Sequence, residues 1–249
     1  MNRSLLHAST RFCRLLIILT VIALAAHATV IGNFATDGNG TTVTVSLTSL
    51  MFGPSPNLRV ASSNLTYDGG TPLAVGTVGT IANIGTSFPI DFFMTFNSTP
   101  LDFTLTGVGP GDLTDAHDCS TATSNGRSCS LLLANGTVSP VVLTFDNNGT
   151  DATLNVFGTV TDGSGVVSSW TGHLGATLTA PLNAITAPPG SMVPPTPVNI
   201  FNYFQANPTG AIVTSHSDTF AVTVPEPDTL ITLSTGLGLT LLSLIRRRR

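Results

Sequence analysis

The chain has 249 residues, 42% apolar and 9% charged, with nine arginines, no lysine, twelve aspartates and a single glutamate, Glu226. That composition excludes a disordered polymer, which needs high charge and few apolar residues. It also argues against a helical bundle, whose exposed faces draw on Lys, Glu and Gln.

Residues 1–28 read as a secretory signal. Arg3, Arg11 and Arg14 form a positive leader, Leu15–Ala26 is an uncharged apolar run, and Ala26-His27-Ala28 is a small-x-small cleavage site. The twelve residues of that run reach roughly 18 Å as a helix, short of a bilayer core of about 30 Å. Cleavage by signal peptidase after Ala28 places the mature start at Thr29, with Ala26 and Ala28 as the recognised small residues.

Residues 29–223 form the expected exported domain. It keeps two arginines (Arg59, Arg127) and eleven aspartates, a formal charge of 2 − 11 = −9 that the whole-chain value of −4 conceals. Such a surface excludes nucleic acid as a partner and disfavours anionic polymers generally, leaving cations and neutral glycans. Apolar residues alternate with period two. Val43, Val45 and Leu47 alternate with Thr42, Thr44 and Ser46. Leu101, Phe103 and Leu105 alternate with Asp102, Thr104 and Thr106. Val141, Leu143 and Phe145 are followed across a turn by Ala152, Leu154 and Val156. Trp170, Leu174, Ala176 and Leu178 share one face, with Thr171, His173 and Thr177 opposite. Asn-Gly or Asp-Gly pairs at 37–38, 39–40, 68–69, 125–126, 135–136, 148–149 and 162–163 mark turns. Many short strands with such turns predict an all-β domain, a two-sheet antiparallel β-sandwich of jelly-roll or immunoglobulin-like type. Pro188–Pro197 reads as a stiff extended loop, and Thr219–Val224 as the last strand.

Within this domain the chemistry-bearing residues are sparse. Cys119 and Cys129, the two cysteines left after leader removal, predict a disulfide in an exported protein. Asp112, Asp115, His117 and Asp118 crowd together before Cys119 but match no metal-loop template, and read as a solvated loop. Asp146–Asp151 resembles a calcium loop only superficially and reads as a hairpin turn. His173 and His216 show no spacing cue to a nucleophile and read as structural histidines on polar strand faces. No catalytic residue, metal or cofactor is expected. Asn-x-Ser/Thr sequences at Asn39, Asn64, Asn97, Asn135 and Asn148 follow from Thr-rich turns.

The tail, residues 224–249, begins with Val224, Pro225, Glu226 and Pro227. An uncharged span of about 229–245 follows, then Arg246, Arg247, Arg248 and Arg249. Seventeen helical residues reach about 25 Å, enough to cross a locally thinned inner membrane. The arginines anchor its end on the cytoplasmic side and leave residues 29–223 outside. This tripartite tail resembles the PEP-CTERM sorting signal of bacterial exosortase substrates. Asp228 departs from the small residue common after that motif. The resemblance covers the tail only. It implies that Pro225, Glu226 and Pro227 are recognised by an exosortase, which removes the helix and passes the protein to the cell surface or to extracellular polysaccharide.

Together these features predict an exported, non-enzymatic surface or matrix protein with a structural or adhesive role. Two other readings stay open. One is a jelly-roll binding neutral glycan through Trp170, Tyr67 or Tyr203, or binding calcium; the other is a secreted hydrolase using an aspartate pair among Asp112, Asp115 and Asp118. Similar tails occur on some ice-binding proteins, but the Thr-x-Thr pairs at 42/44, 104/106 and 177/179 lack the fixed repeat that a flat ice-binding array requires.

Overall fold

A computed structural model describes residues 30–53, 56–111, 119, 126–133, 135–146, 149–163, 165, 167–178, 200, 203–204, 207 and 210–223. All lie within one compact unit, Thr29–Thr223. The strands are β1 Gly32–Val45, β2 Leu50–Phe52, β3 Asn57–Ser63, β4 Thr66–Tyr67, β5 Thr71–Pro72, β6 Val78–Ile81, β7 Ile90–Phe96, β8 Asp102–Val108, β9 Ser128–Leu132, β10 Val138–Asp146, β11 Gly149–Thr161, β12 Val167–Leu178 and β13 Ile212–Thr223. Ile200, Tyr203 and Phe204 are the described residues in helical conformation.

The all-β class holds, but the two-sheet sandwich, and with it the jelly-roll and immunoglobulin-like topologies, is overturned. Eight strands close on themselves in the order β1-β3-β6-β7-β8-β11-β12-β13, and β13 returns to β1. Every pairing around the ring is antiparallel. Four long strands, β1, β11, β12 and β13, make this possible. On one edge β11 pairs with β12 from Thr150 to Thr161. Its other edge is divided, Gly149–Leu154 going to β10 and Val156–Thr161 to β8. Strand β1 is divided in the same way, between β3 and β2. Register breaks at Ala35/Thr36, Asp37/Thr42, Ile90/Met94 and Phe157/Gly158 supply the local coiling that closure needs. Alternation told which face of each strand is buried. Whether those faces meet across two sheets or around one ring depends on these breaks. Within the ring every strand has a neighbour on both sides, and β9 ends the branch that leaves it through β10.

An eight-stranded ring is just wide enough to be filled by its own side chains, and this one is. Phe34, Phe93, Phe96, Phe103, Trp170 and Phe220 occupy its interior, all buried. Phe34 stacks on Phe220 at 4.7 Å between ring centroids, and Trp170 lies parallel to Phe93 at 5.9 Å. The indole N–H of Trp170 donates to the Thr159 carbonyl at 2.9 Å, which satisfies its one polar atom. Beyond the ring, the long strands and β10 carry a second set of buried residues, among them Val43, Val45, Leu143, Leu154, Leu178 and Ile212. The predicted alternations in β8, β11 and β12 are borne out: Phe103, Leu105, Ala152, Leu154, Val156, Trp170, Leu174, Ala176 and Leu178 are buried, and Thr104, Thr106, Thr171, His173 and Thr177 face outward. The last strand is longer than Thr219–Val224, running back to Ile212. Pro188–Pro197 lies outside the described residues.

Candidate functional site

The densest polar grouping in the described interior lies where β1 changes partner. In the β1–β13 register Asp37 opposes Ser217 and Thr42 opposes Ser215, so four residues, Gly38–Thr41, oppose the single residue His216. The Asp-Gly-Asn-Gly run predicted two successive turns. It forms instead an excursion inside one continuous strand, with Asn39 at φ 41° and Gly40 at φ 82°. Asp37 Oδ1 accepts the Asn39 backbone N–H at 3.0 Å and holds the turn. A side chain at position 38 would meet the Thr41 carbonyl at 2.5 Å and His216 Nε2 at 2.9 Å, so only glycine closes over the imidazole.

Beneath the excursion, His216 Nδ1 lies 2.8 Å from Asp218 Oδ2, with the two side chains 1% and 0% exposed. Thr36 Oγ1 donates to the same Asp218 oxygen at 3.2 Å, and Phe52 meets the imidazole edge-on at 5.0 Å. In this contact the Asp218 carboxyl oxygen accepts and the Nδ1–H of His216 donates. His216 Nε2 and Asp218 Oδ1 are buried without a partner. Asp218 directly opposes Thr36 on β1 and Leu174 on β12. The cluster is therefore a polar staple across the broken ladder. Almost fully buried, the imidazole is held in one orientation.

Above it, Asp37, Asn39, Thr42, Arg59 and Ser215 rim a groove of about 380 Å³ with His216 at its base. Arg59 donates to Asp37 at 2.7 Å. That hydrogen bond, helped by the Asn39 N–H and the nearby charge of His216, holds the Asp37 carboxyl below its ordinary range despite some desolvation. Asp37 in turn raises Arg59 above its already high value. Neutralised by this ion pair, the rim offers no free charge to a ligand.

The structure separates the residues singled out from the sequence. Cys119 and Cys129 are joined as a disulfide, both buried, with Cα atoms 5.4 Å apart. Asp112, Asp115, His117 and Asp118 lie outside the described residues. So do Ala26, Ala28, Val224, Pro225, Glu226 and Pro227, the predicted span 229–245 and Arg246, Arg247, Arg248 and Arg249. Among the described residues no helix is long and apolar enough to cross a membrane. Nor does any group of three His, Cys, Asp or Glu side chains there fit a metal ion. Asp146 pairs with Gly149 where β10 and β11 meet as antiparallel neighbours, and residues 147–148 of the calcium-like segment lie outside the described residues. Trp170 and Tyr67 are buried and present no face to a glycan, while Tyr203 is half-buried with its hydroxyl bonded to the Ala211 carbonyl. His173 does lie on an exposed strand face, bonded to Asn155 at 2.6 Å. His216 does not, and its partner Asp218 was missed. The signal was present: in a strand, residues i and i+2 share a face, so His-x-Asp places both groups side by side.

No family model, curated protein or solved structure matches this chain.

Proposed function

We propose that the protein is an exported, non-catalytic surface or matrix component, routed by cleavable segments at both ends and acting as a structural or adhesive body. The observation that carries this reading is the junction at Thr223. The last barrel strand ends there, and Val224-Pro225-Glu226-Pro227 follows at once in the sequence, so the sorting motif begins where the described domain stops, with no linker residues between. The closed ring supports the reading in a second way. With its interior filled by aromatic side chains and a disulfide joining Cys119 to Cys129, the domain suits an oxidising, protease-rich exterior. Signal peptidase would act at Ala28, an exosortase at the Pro-Glu-Pro motif, with the inner membrane holding the intermediate.

Intact-mass measurement on the surface fraction of a host with active sorting tests this. The expected product starts at Thr29 and lacks the apolar span and the four arginines, and Glu226→Ala leaves the tail in place. A surface form that retains Arg246–Arg249 in such a host overturns the proposal.

A further inference from the structure

On the outer wall of the barrel, one bulky side chain is held out to solvent at a conformational cost. The register break in β7 sets three residues, Asp91, Phe92 and Phe93, against one, Thr104, on β8. Phe93 turns inward onto Trp170. Phe92 takes φ 52° and is 65% exposed. A left-handed backbone is strained for an aromatic residue, and here no burial offsets it. Bulges of this kind re-aim a side chain, and strain of this kind gathers at binding sites.

The register shows what lies around Phe92. From Thr104, one outward row continues through Thr159, Ser169 and Thr223. The next runs from Gly107 through Phe157, Thr171 and Ala221 to Asn33. Phe157 is 44% exposed, and its ring lies over Gly107, where any β-carbon would meet it at 2.7 Å. Thr171, Ala221 and Asn33 continue into a groove of about 500 Å³, which Ser62, Asn64 and His173 also line. Neither row carries a formal charge. Two exposed rings flanking β8, followed by hydroxyls, amides and an imidazole, match the two surfaces of a sugar ring, its C–H face and its hydroxyl rim. The groove volume falls within the range of small-ligand sites, about 300–1,000 Å³.

We propose that this face, with Phe92 and Phe157 as stacking contacts and the Asn33–Thr171 groove as the hydroxyl-reading subsite, binds a neutral glycan chain. The proposal rests on the adhesive reading above and names its ligand class. The domain charge of 2 − 11 = −9 selects against acidic polysaccharides.

Affinity electrophoresis of the exported protein tests it, in gels containing dextran, mannan, hydroxyethylcellulose or alginate. Retardation is expected in at least one neutral gel and not in alginate. Phe92→Gly and Phe157→Ser should each weaken it about tenfold or more, the loss typical of an aromatic contact at the centre of an interface. Emission from Trp170 reports that both variants stay folded. Phe92→Gly should also raise the denaturation midpoint, since glycine takes φ 52° without strain; a residue kept for structure would lower it. No retardation in any neutral gel overturns the proposal, as does retardation unchanged in both variants. A concentration-dependent dimer abolished by both substitutions, without glycan retardation, assigns the face to a second copy and overturns it equally. Protein that reaches the surface with its tail removed but binds no glycan sinks this inference alone and leaves the routing intact.

Discussion

Gly158→Ala tests ring closure at the place where it is tightest. Gly158 sits on β11 opposite Leu105 of β8 on one side and Trp170 of β12 on the other. A β-carbon there would collide with the Thr104 carbonyl oxygen and stand 2.8 Å from Trp170 Cε2 and Nε1. The carbonyl belongs to the paired strand and cannot rotate away, so either the β8–β11 ladder opens or the indole shifts. Overpacking of this kind costs about 1–3 kcal/mol. Displacing the indole from the Thr159 carbonyl leaves a buried N–H unpaired, for about 1–3 kcal/mol more. Reduced freedom of the unfolded chain returns about 0.4–1 kcal/mol. The net expectation is a loss of about 3 kcal/mol, or roughly 6–12 °C in Tm for a domain of this size. Urea denaturation followed by Trp170 emission measures it directly, because the chain has no other tryptophan. Gly69→Ala is the comparison: at φ 71° with open space around it, it should cost only about 1–2 kcal/mol and leave the near-ultraviolet dichroism of Trp170 unchanged. A Gly158→Ala protein within about 0.5 kcal/mol of the parent, with the same dichroism, would mean that β8 and β11 do not meet as described.

Replacing Asp218 by Ala strands the Thr36 hydroxyl and the His216 Nδ1–H in the interior and should cost about 3–5 kcal/mol. The joint change His216→Phe with Asp218→Leu should recover most of that, and equal losses from both in urea melts would refute the staple. Changing Cys119 and Cys129 to Ser should lower stability by about 3 kcal/mol, the chain-entropy value for cysteines ten residues apart. Reductant should bring the parent to the same midpoint, and no difference between the two proteins would contradict the link. Asp37 should titrate below its ordinary value of 3.8 in side-chain NMR, and Arg59→Gln should move it back upward. Because its folded-state value is depressed, the contribution of the pair to stability is complete above that ordinary value and is lost as pH falls through the lower one. The effect is small and weakens in salt, since both groups are partly exposed. An Asp37 titration insensitive to Arg59→Gln would show that the ion pair does not form in solution.

The strand faces were legible in the sequence because burial with period two is a local property. Phe103 and Leu105, or Leu174 and Ala176, announce an inward face whatever they pack against. Closure was not legible, because it depends on pairings far apart in the chain: Gly158 with Leu105, or Gly32 with Val222. No local pattern distinguishes a strand whose edge serves one partner from one whose edge is divided between two. Asn39-Gly40 misled for a related reason. The positive φ it supplies serves a hairpin and an excursion within a strand equally well, and only the continued pairing of Thr42–Val45 with β13 separates them. Phe92 carried no signal at all, since nothing in the sequence marks a phenylalanine that is about to be turned outward.

The position of the buried polar cluster follows from the same geometry. A strand that serves two partners along one edge must bend between them, and β1 does so by looping out Gly38–Thr41. That excursion breaks the ladder to β13 between Asp37 and Thr42, and it removes backbone partners where the core still needs the strands held together. Thr36, His216 and Asp218 stand at that break, two of them facing each other across the strands and the third two residues along. Side-chain hydrogen bonds thus replace the missing backbone ones, and at a buried position they require a donor, an acceptor and a group able to orient both. A serine in place of His216 would be too short to span from Asp218 to Gly38, and an apolar residue there would leave the Asp218 carboxylate with Thr36 as its only partner. The division of β1 accounts for the histidine at this position, and this is why it lies beneath a glycine while the wall around Phe92 stays open to solvent.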